Sequence, residues 1–457
     1  MKVLLVSPND EQLPDPVFPI GAAYVAGALK QAGIEYHCLD LCFEEDVEKA
    51  LIEALDKNAP DIVGLSLRNV DNVSYPHSVS YLPLYRMITT TIRRNCDAKI
   101  VLGGSGFTLL PDAILHFLQA DYGICGEGEI PFVQLVRQLA GGPEVLDLAT
   151  EPIIRAGVGV ERNMDRLPPA DRTLFDNECY LQRGGMANLQ TKRGCPFNCI
   201  YCTYPVIEGR KVRMRSPQSI GDEIQSLLEM GLDTLFIVDN EFNHPMDHAL
   251  AVCREIQRRR LPVHWSCYAN PAFINPELVD AMLAAGCTSL EFGTDAGCDE
   301  MLKNMGKHFS AHDIGQASET CDQAGMPYCH ALLLGGPGET MTTVQKSLET
   351  IAATDATAVI CMVGIRIFPH TRLAATAEKE GQIAADEDFL KPVFYLAEAV
   401  AEEILPFLEA YAKHHPTWIF PGLGINMNTT LQEKLRRFGV KGPLWEYMGI
   451  HKRRRRG

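Results

Sequence analysis

Three cysteines in the run Gly194-Cys195-Pro196-Phe197-Asn198-Cys199-Ile200-Tyr201-Cys202 stand at Cx3Cx2C spacing, just after the extended stretch Ala187-Asn188-Leu189-Gln190-Thr191. Three thiolates on one short loop can hold three irons of a [4Fe–4S] cube and leave the fourth open to a small ligand, which a four-cysteine electron-transfer site does not allow. A structural zinc knuckle would pair two cysteines with a second pair or with histidines. No such partner motif follows, so the cluster reading is carried forward, with Cys195, Cys199 and Cys202 as metal ligands and catalytic centre.

The rest of the chain limits where such a centre can sit. Its 457 residues, 46% apolar and 22% charged, suit two or three globular domains with a sizeable core. No apolar run is long enough to span a membrane, and the start MKVLLVSPND turns polar too early for a signal peptide, so a cytoplasmic protein without membrane insertion is expected. Fifteen cysteines, most of them unpaired in spacing, fit a reducing compartment; Cys267, Cys287, Cys329 and Cys361 fall in apolar runs as small hydrophobes. A net charge of −16 disfavours nucleic acid. The basic run Lys452-Arg453-Arg454-Arg455-Arg456 reads as a solvated tail.

Residues 1–142 alternate strand and helix candidates. The strands are Val3–Val6, Glu35–Leu39, Ile62–Ser66, Ile100–Leu102 and Tyr122–Cys125, separated by helix-like segments at 22–31, 44–56, 82–94 and 131–139. This order implies an α/β fold with a doubly wound, Rossmann-like parallel sheet, whose ligand lies beyond the carboxyl ends of the strands. Those ends are distinctive: Ser7-Pro8-Asn9 with Pro19-Ile20-Gly21, then Ser66 with Arg68-Asn69, Gly103-Gly104-Ser105, and Gly126-Glu127-Gly128-Glu129. Glycines there let backbone approach a ligand. Residues 143–186 read as a linker, and 187–375 again alternate, with strands at 187–191, 234–238, 263–268, 289–293, 328–334 and 359–367. Residues 376–457 form a cap that begins with an amphipathic helix over Phe389–Tyr411; His414-His415 there read as structural or pocket-lining.

Taken in order, the glycine pattern, the linker phrase Leu167-Pro168-Pro169-Ala170-Asp171-Arg172 and the cysteine loop resemble the B12-binding-domain radical S-adenosylmethionine (SAM) family, down to the aromatic Tyr201 before the third cysteine. The resemblance covers the first two-thirds to four-fifths of the chain. It implies a (β/α)6 partial barrel over 187–375 and three cofactors: a [4Fe–4S] cluster, SAM and cobalamin. It places Tyr201, Asp239 and Asn240 near SAM, Glu291 on the ribose, and Gly335, Gly336 and Gly338 beneath the adenine. Arg366 would hold a carboxylate of SAM or substrate. Pro19, Gly21, Ser66, Arg68, Asn69, Gly103, Gly104, Ser105, Gly126, Glu127, Gly128 and Glu129 would surround cobalamin. One departure stands out: the Asp-x-His-x-x-Gly motif of base-off B12 enzymes is missing, because His77 lacks an aspartate two positions earlier. The Arg68 loop would then face the lower side of cobalt, or Arg68 is a salt-bridged surface residue.

The activity implied is a methyltransferase. In that scheme SAM methylates cobalt, a second SAM yields the 5′-deoxyadenosyl radical that abstracts a substrate hydrogen, and the substrate radical takes the methyl group. The target is an unactivated carbon, or phosphorus, of a small natural-product or lipid intermediate, with flavodoxin or ferredoxin as electron donor. Relatives also use these modules for rearrangement, ring contraction or cyclisation. A cobalamin sensor is disfavoured by the intact cysteine motif. A methylthiotransferase is disfavoured because Cys38, Cys42, Cys96 and Cys125 do not form a second triad.

Overall fold

The computed structural model of the chain describes residues 1–148, 151–155, 157 and 160–449; the basic run 452–456 and part of the linker lie outside these. Apolar runs such as Val3–Val6 and Ile100–Leu102 are buried on both faces, as parallel strands require. The first sheet comprises β1 (Lys2–Ser7), β2 (Glu35–Asp40), β3 (Ile62–Ser66), β4 (Lys99–Gly103), β5 (Tyr122–Ile124) and β6 (Ile153–Ile154), in the order 2-1-3-4-5-6. All its pairings are parallel. The order reverses between β1 and β3, so the loops after β1, β3, β4 and β5 converge at a switch point. The sequence anticipates five strands; the sixth comes from the linker, because Ile153 and Ile154 bury their side chains against the edge of β5.

The second sheet is parallel and seven-stranded: β7 (Ala187–Leu189), β10 (Thr234–Ile237), β11 (His264–Ala269), β12 (Cys287–Asp295), β13 (Tyr328–Leu334), β14 (Ala358–Val363) and β17 (Trp418–Ile419), in that order across the sheet. Between β7 and β10 runs a small antiparallel hairpin, β8 (Lys192–Arg193) with β9 (Arg213–Met214); β15 (Ile365–Arg366) and β16 (Phe394–Tyr395) pair likewise. Six parallel strands form the expected partial barrel, and β17 adds a seventh from the C-terminal segment.

The helix anticipated over 389–411 is instead a short strand, β16, followed by helices Glu398–Ala401 and Ile404–Ala412. Pro406 has no N–H to donate to Glu402, so a helix cannot run through the junction. The described part of the segment closes with a 3-10 turn, Leu444–Gly449, whose Trp445 packs on Cys329 and Ala358 and so covers the amino ends of β13 and β14. His415 stacks on Tyr411 with ring centroids 3.9 Å apart.

The linker ties the two units together. Asp171 N donates to Ala23 O at 2.8 Å, the Asp171 carboxylate accepts Lys30 and Tyr36, and Arg172 donates to the Asn188 carbonyl of β7. The helix Ile20–Gln31 approaches so closely that a Cβ on Gly27 would be driven into the Pro169 carbonyl. Gly27→Ala should therefore lower the thermal midpoint, at a cost of about 1–3 kcal/mol for overpacking. Gly315→Ala, on an open helix surface with nothing within 4 Å, should raise stability by about 0.5–1 kcal/mol. Thermal scanning of the two variants beside the parent checks both signs.

Candidate functional site

The cysteine loop leaves β8 through Gly194, which has φ +93° and would press a Cβ against the Lys211 carbonyl. The loop is pinned on both sides. Cys195 N donates to Gly209 O at 3.1 Å, Gly194 N to Glu208 Oε2 at 2.9 Å, and Ile200 N to Met305 O at 3.0 Å. Phe197 lies flat on His308, with centroids 3.9 Å apart and planes 5° from parallel.

Burial pushes the Cys195 thiol up to about 11 and Cys202 to about 12. It also raises Cys199, against a pull from the Lys307 ammonium. Thiols this reluctant to ionise become thiolates by binding a cation. Glu241 faces the same space: burial raises its carboxyl to about 7, it feels Cys195 and Cys199, and its Oε2 is buried without a hydrogen-bond partner. An orphaned carboxylate oxygen beside three neutral thiols is the donor set that an iron–sulfur centre would satisfy. Among the described residues, no three of His, Cys, Asp or Glu converge closely enough to hold a single metal ion. Three thiols on one loop with a carboxylate beside them fit an iron–sulfur cluster.

Beside the loop, Lys307 is 7% exposed and pairs with Asp295 at 2.7 Å, while the Tyr201 hydroxyl donates to the same carboxylate. Burial would lower the Lys307 ammonium, but Asp295 outweighs it and holds it above its ordinary range. Tyr201 is thereby oriented at the carboxyl end of β12.

Several residues expected to touch cofactor are engaged within the protein. Asp239 is buried and accepts from the Thr191 and Lys192 amides and the Thr191 hydroxyl, so it ties the chain after β7 to the end of β10. Asn240 donates to Glu208 at 2.9 Å beside the cysteine loop, and its Oδ1 is buried without a partner. Arg366 gives its guanidinium to Asp71 at 2.8 Å and to the Ile367 and Phe389 carbonyls, bracing the barrel against the first domain rather than reaching a ligand carboxylate. Gly335, with φ +93°, donates its N–H to Glu339, whose other oxygen accepts Thr343. Gly336 and Gly338 pack against Met305 and Asn304, the segment that also holds the cysteine loop.

A cavity of about 1070 Å³ opens between the domains. Its first wall is made by the strand-end loops: Pro19, Gly21, Ser66, Arg68, Asn69, the Gly103-Gly104-Ser105 turn and Gly126 to Glu129 all border it. Gly104 has φ +93°, and a Cβ there would stand 2.5 Å from Leu67 O. Arg68 extends into the space and makes no ion pair among the described residues. The opposite wall is the barrel's inner face, with Phe236, Tyr268, Glu291 and Met362. Tyr204, two residues past Cys202, joins the cysteine loop to the cavity; it keeps 40% of its surface accessible, all the same burial raises its phenol, and Arg68 lies close enough to act on it. Glu291 sits four residues inside the carboxyl end of β12, deeper than a ribose contact at the strand end would require, and accepts Trp445 Nε1 at 2.8 Å.

What holds the two walls in register is a buried ion network. Arg193 of β8 bonds Glu127 at 3.0 Å and Glu129 at 2.7 Å, and Arg213 of β9 bonds Glu127 from the other side. Thus Glu127 and Glu129, expected at cobalamin, border the cavity while neutralising the hairpin that carries the cysteines. Arg193, Tyr204, Glu241, Tyr268, Lys307 and Trp445 were not anticipated as site residues. Arg193 and Tyr204, beside the cysteine motif, and Glu241, at the end of a strand, carry a local sign.

Comparison with known proteins agrees with this architecture. Residues 11–136 match the B12 binding domain model and residues 189–351 the radical SAM superfamily model. The chain joins these two domains and belongs to the B12-binding radical SAM enzymes. Within that class it is a methyltransferase-like member. It is 26% identical to the tryptophan 2-C-methyltransferase of Streptomyces laurentii, over 83% of this chain and 74% of that one. It superposes with a TM-score of 0.86 and 26% identity, over the full length of both chains, on the radical SAM methyltransferase TsrM of Kitasatospora setae bound to tryptophan and a SAM analogue. The cobalamin-dependent SAM radical enzyme OxsB shares the fold, with a TM-score of 0.70 and 15% identity over 87% of this chain and 64% of its own. No helix among the described residues is long and apolar enough to cross a membrane.

Removing Arg193 as Arg193→Met should cost about 3–5 kcal/mol, because it leaves the buried Glu129 without its cation and Glu127 with Arg213 alone. Burial alone would raise Glu127, but Arg213 and Arg193 hold it below its ordinary 4.5. A carboxyl depressed in this way contributes stability above pH 4.5 that is lost as the pH falls through the folded value. The gap in thermal midpoint between parent and Arg193→Met should therefore be widest near neutrality and narrow below about pH 4.5.

Proposed function

We propose that this enzyme methylates a carbon of a small, planar aromatic substrate related to tryptophan, held in the cavity between its two domains. The observation that carries the reading is that cavity. One space of about 1070 Å³ is bordered by the strand-end loops of the B12-binding domain and by an aromatic and aliphatic barrel wall. The similarity to a tryptophan methyltransferase over most of both chains supports the same substrate class.

When bound, the cofactors supply one-electron chemistry, a methyl donor and a methyl carrier. The chain supplies placement. Cys195, Cys199 and Cys202 would hold three irons, with Glu241 facing the same space and Lys307–Asp295 keeping Tyr201 in position. The strand-end glycines and Arg68 would receive cobalamin. The Gly335–Gly338 turn and Asn240 would receive SAM. Phe236 and Tyr268 line the substrate end and keep water scarce where a reactive species is handled. A flavodoxin- or ferredoxin-type donor and the reducing cytoplasm complete the proposal. All fifteen cysteines are free, and Asn198 and Pro196 expose the tip of the cysteine loop to solvent.

The test is anaerobic reconstitution with iron, sulfide and hydroxocobalamin, then turnover of L-tryptophan with methyl-labelled SAM followed by mass spectrometry. Labelled methyltryptophan with matching S-adenosylhomocysteine is expected. A rearranged, unmethylated product accompanied by 5′-deoxyadenosine alone would overturn the methylation reading.

A further inference from the structure

The charged groups around the cavity are nearly all committed elsewhere. Asp15 pairs with Arg436, and Glu127 and Glu129 pair with Arg193. Glu11 accepts the Tyr81 hydroxyl, and Glu208 accepts the Gly194 amide. Glu291 differs. It projects from the middle of β12, in register between Tyr268 and Cys329, into the barrel end of the cavity. Trp445 Nε1 donates to its Oε1 at 2.8 Å, and its Oε2 has no hydrogen-bond partner among the described residues. The barrel side of the cavity also carries Phe236, Tyr268, Ile360, Met362 and Ile419, and the Glu446 and Asp15 carboxylates act on Glu291.

Burial raises the Glu291 carboxyl to about 7, against the Trp445 hydrogen bond that lowers it. Glu291 is half-buried, so its second oxygen stays open to a donor entering from the cavity. The space next to it suits a flat, apolar body, so the donor must belong to the edge of the ligand that enters first. An ammonium there would have to give up its hydration shell for one oxygen, whereas a ring N–H gives up little. Trp445 already shows the geometry: an indole N–H meeting this carboxylate at hydrogen-bonding distance.

We infer that Glu291, held by Trp445, is a specificity-determining residue that accepts the ring N–H at the buried edge of the substrate. This rests on the aromatic-substrate reading above and adds to it that the ring must be an N–H heterocycle. Above about pH 7, where the carboxylate is ionised, a hydrogen bond to it discriminates against a ligand lacking the donor by roughly ten- to a hundredfold. In Glu291→Gln, the Trp445 N–H claims the one carbonyl oxygen and leaves an NH2 facing the incoming N–H, donor against donor.

The experiment is equilibrium dialysis of the cluster- and cobalamin-loaded enzyme with two probes, L-tryptophan and its benzothiophene analogue, in which sulfur replaces the ring N–H. The parent should bind L-tryptophan roughly ten- to a hundredfold more tightly. Glu291→Gln should abolish that preference by weakening L-tryptophan alone. Trp445→Phe, which frees the carboxylate to swing, should reduce the preference without removing it. The corrin absorbance of both variants should match the parent, which also reports that they fold. If the parent binds both probes alike, this inference fails and the aromatic-substrate reading stands; if it binds neither, both fail. Loss of bound cobalamin from a folded Glu291→Gln would overturn the inference by assigning the side chain to the corrin.

Discussion

The arrangement depends on a charge that cannot be buried alone. Arg193 stands one residue before the cysteine loop, 6% exposed, and its partners Glu127 and Glu129 belong to the other domain. At about 3 Å and an effective dielectric near 20, each contact is worth about 5 kcal/mol of Coulomb attraction, and desolvating each ion costs about as much. The network adds little net stability. What it does is make every other docking of the two domains expensive, because a shifted hairpin would leave a buried guanidinium facing apolar side chains. The cysteine loop and the loop after β5 are therefore placed relative to each other before any cofactor binds.

The same polarity recurs along the interface. Arg193, Arg213, Arg366 and Arg436 lie in the barrel or the C-terminal segment, and their carboxylates, Glu127, Glu129, Asp71 and Asp15, all lie in the first domain. Cations on one side and anions on the other give a docking that is complementary in one register. Lys30–Asp171 runs the opposite way, from the first domain to the linker, and is partly solvated. Arginine suits this task because its planar fork bonds carboxylates and carbonyls together, as Arg366 does with Asp71, Ile367 and Phe389.

Rigid docking matters because the chemistry has three separate parts. The cysteine loop sits at the carboxyl ends of one parallel sheet, and the loops that border the cavity sit at the carboxyl ends of another. Turning the two sheets so that these ends meet creates a single enclosed space with different chemistry on each wall. Tyr204 is the short link, following Cys202 by two residues while lying within the electrostatic reach of Arg68. The C-terminal segment closes the remaining side, where Trp445 meets Glu291 and Glu446 accepts the hydroxyls of Thr288 and Ser289.

What the chain's order of residues determined alone was whatever depends on neighbours in sequence. Cx3Cx2C fixes three thiols on one loop; Gly104, Gly126, Gly194 and Gly335 mark turns that need positive φ; alternating strands and helices dictate two parallel sheets, each with its ligand side at the strand ends. Tertiary structure decided which charged side chains face a ligand and which face each other. Asp239 and Arg366 look like ligand contacts at the ends of strands, yet both are taken by protein partners, Arg366 by a residue 295 positions away. The strands β6 and β17, two residues each, are too short to show a period and exist only because a neighbouring edge receives them. Glu291 and Trp445 lie 154 positions apart and carry no common motif. Local sequence encodes backbone conformation, because φ and ψ respond to adjacent residues, whereas the pairing of buried charges is settled only when distant segments compete for the same partner.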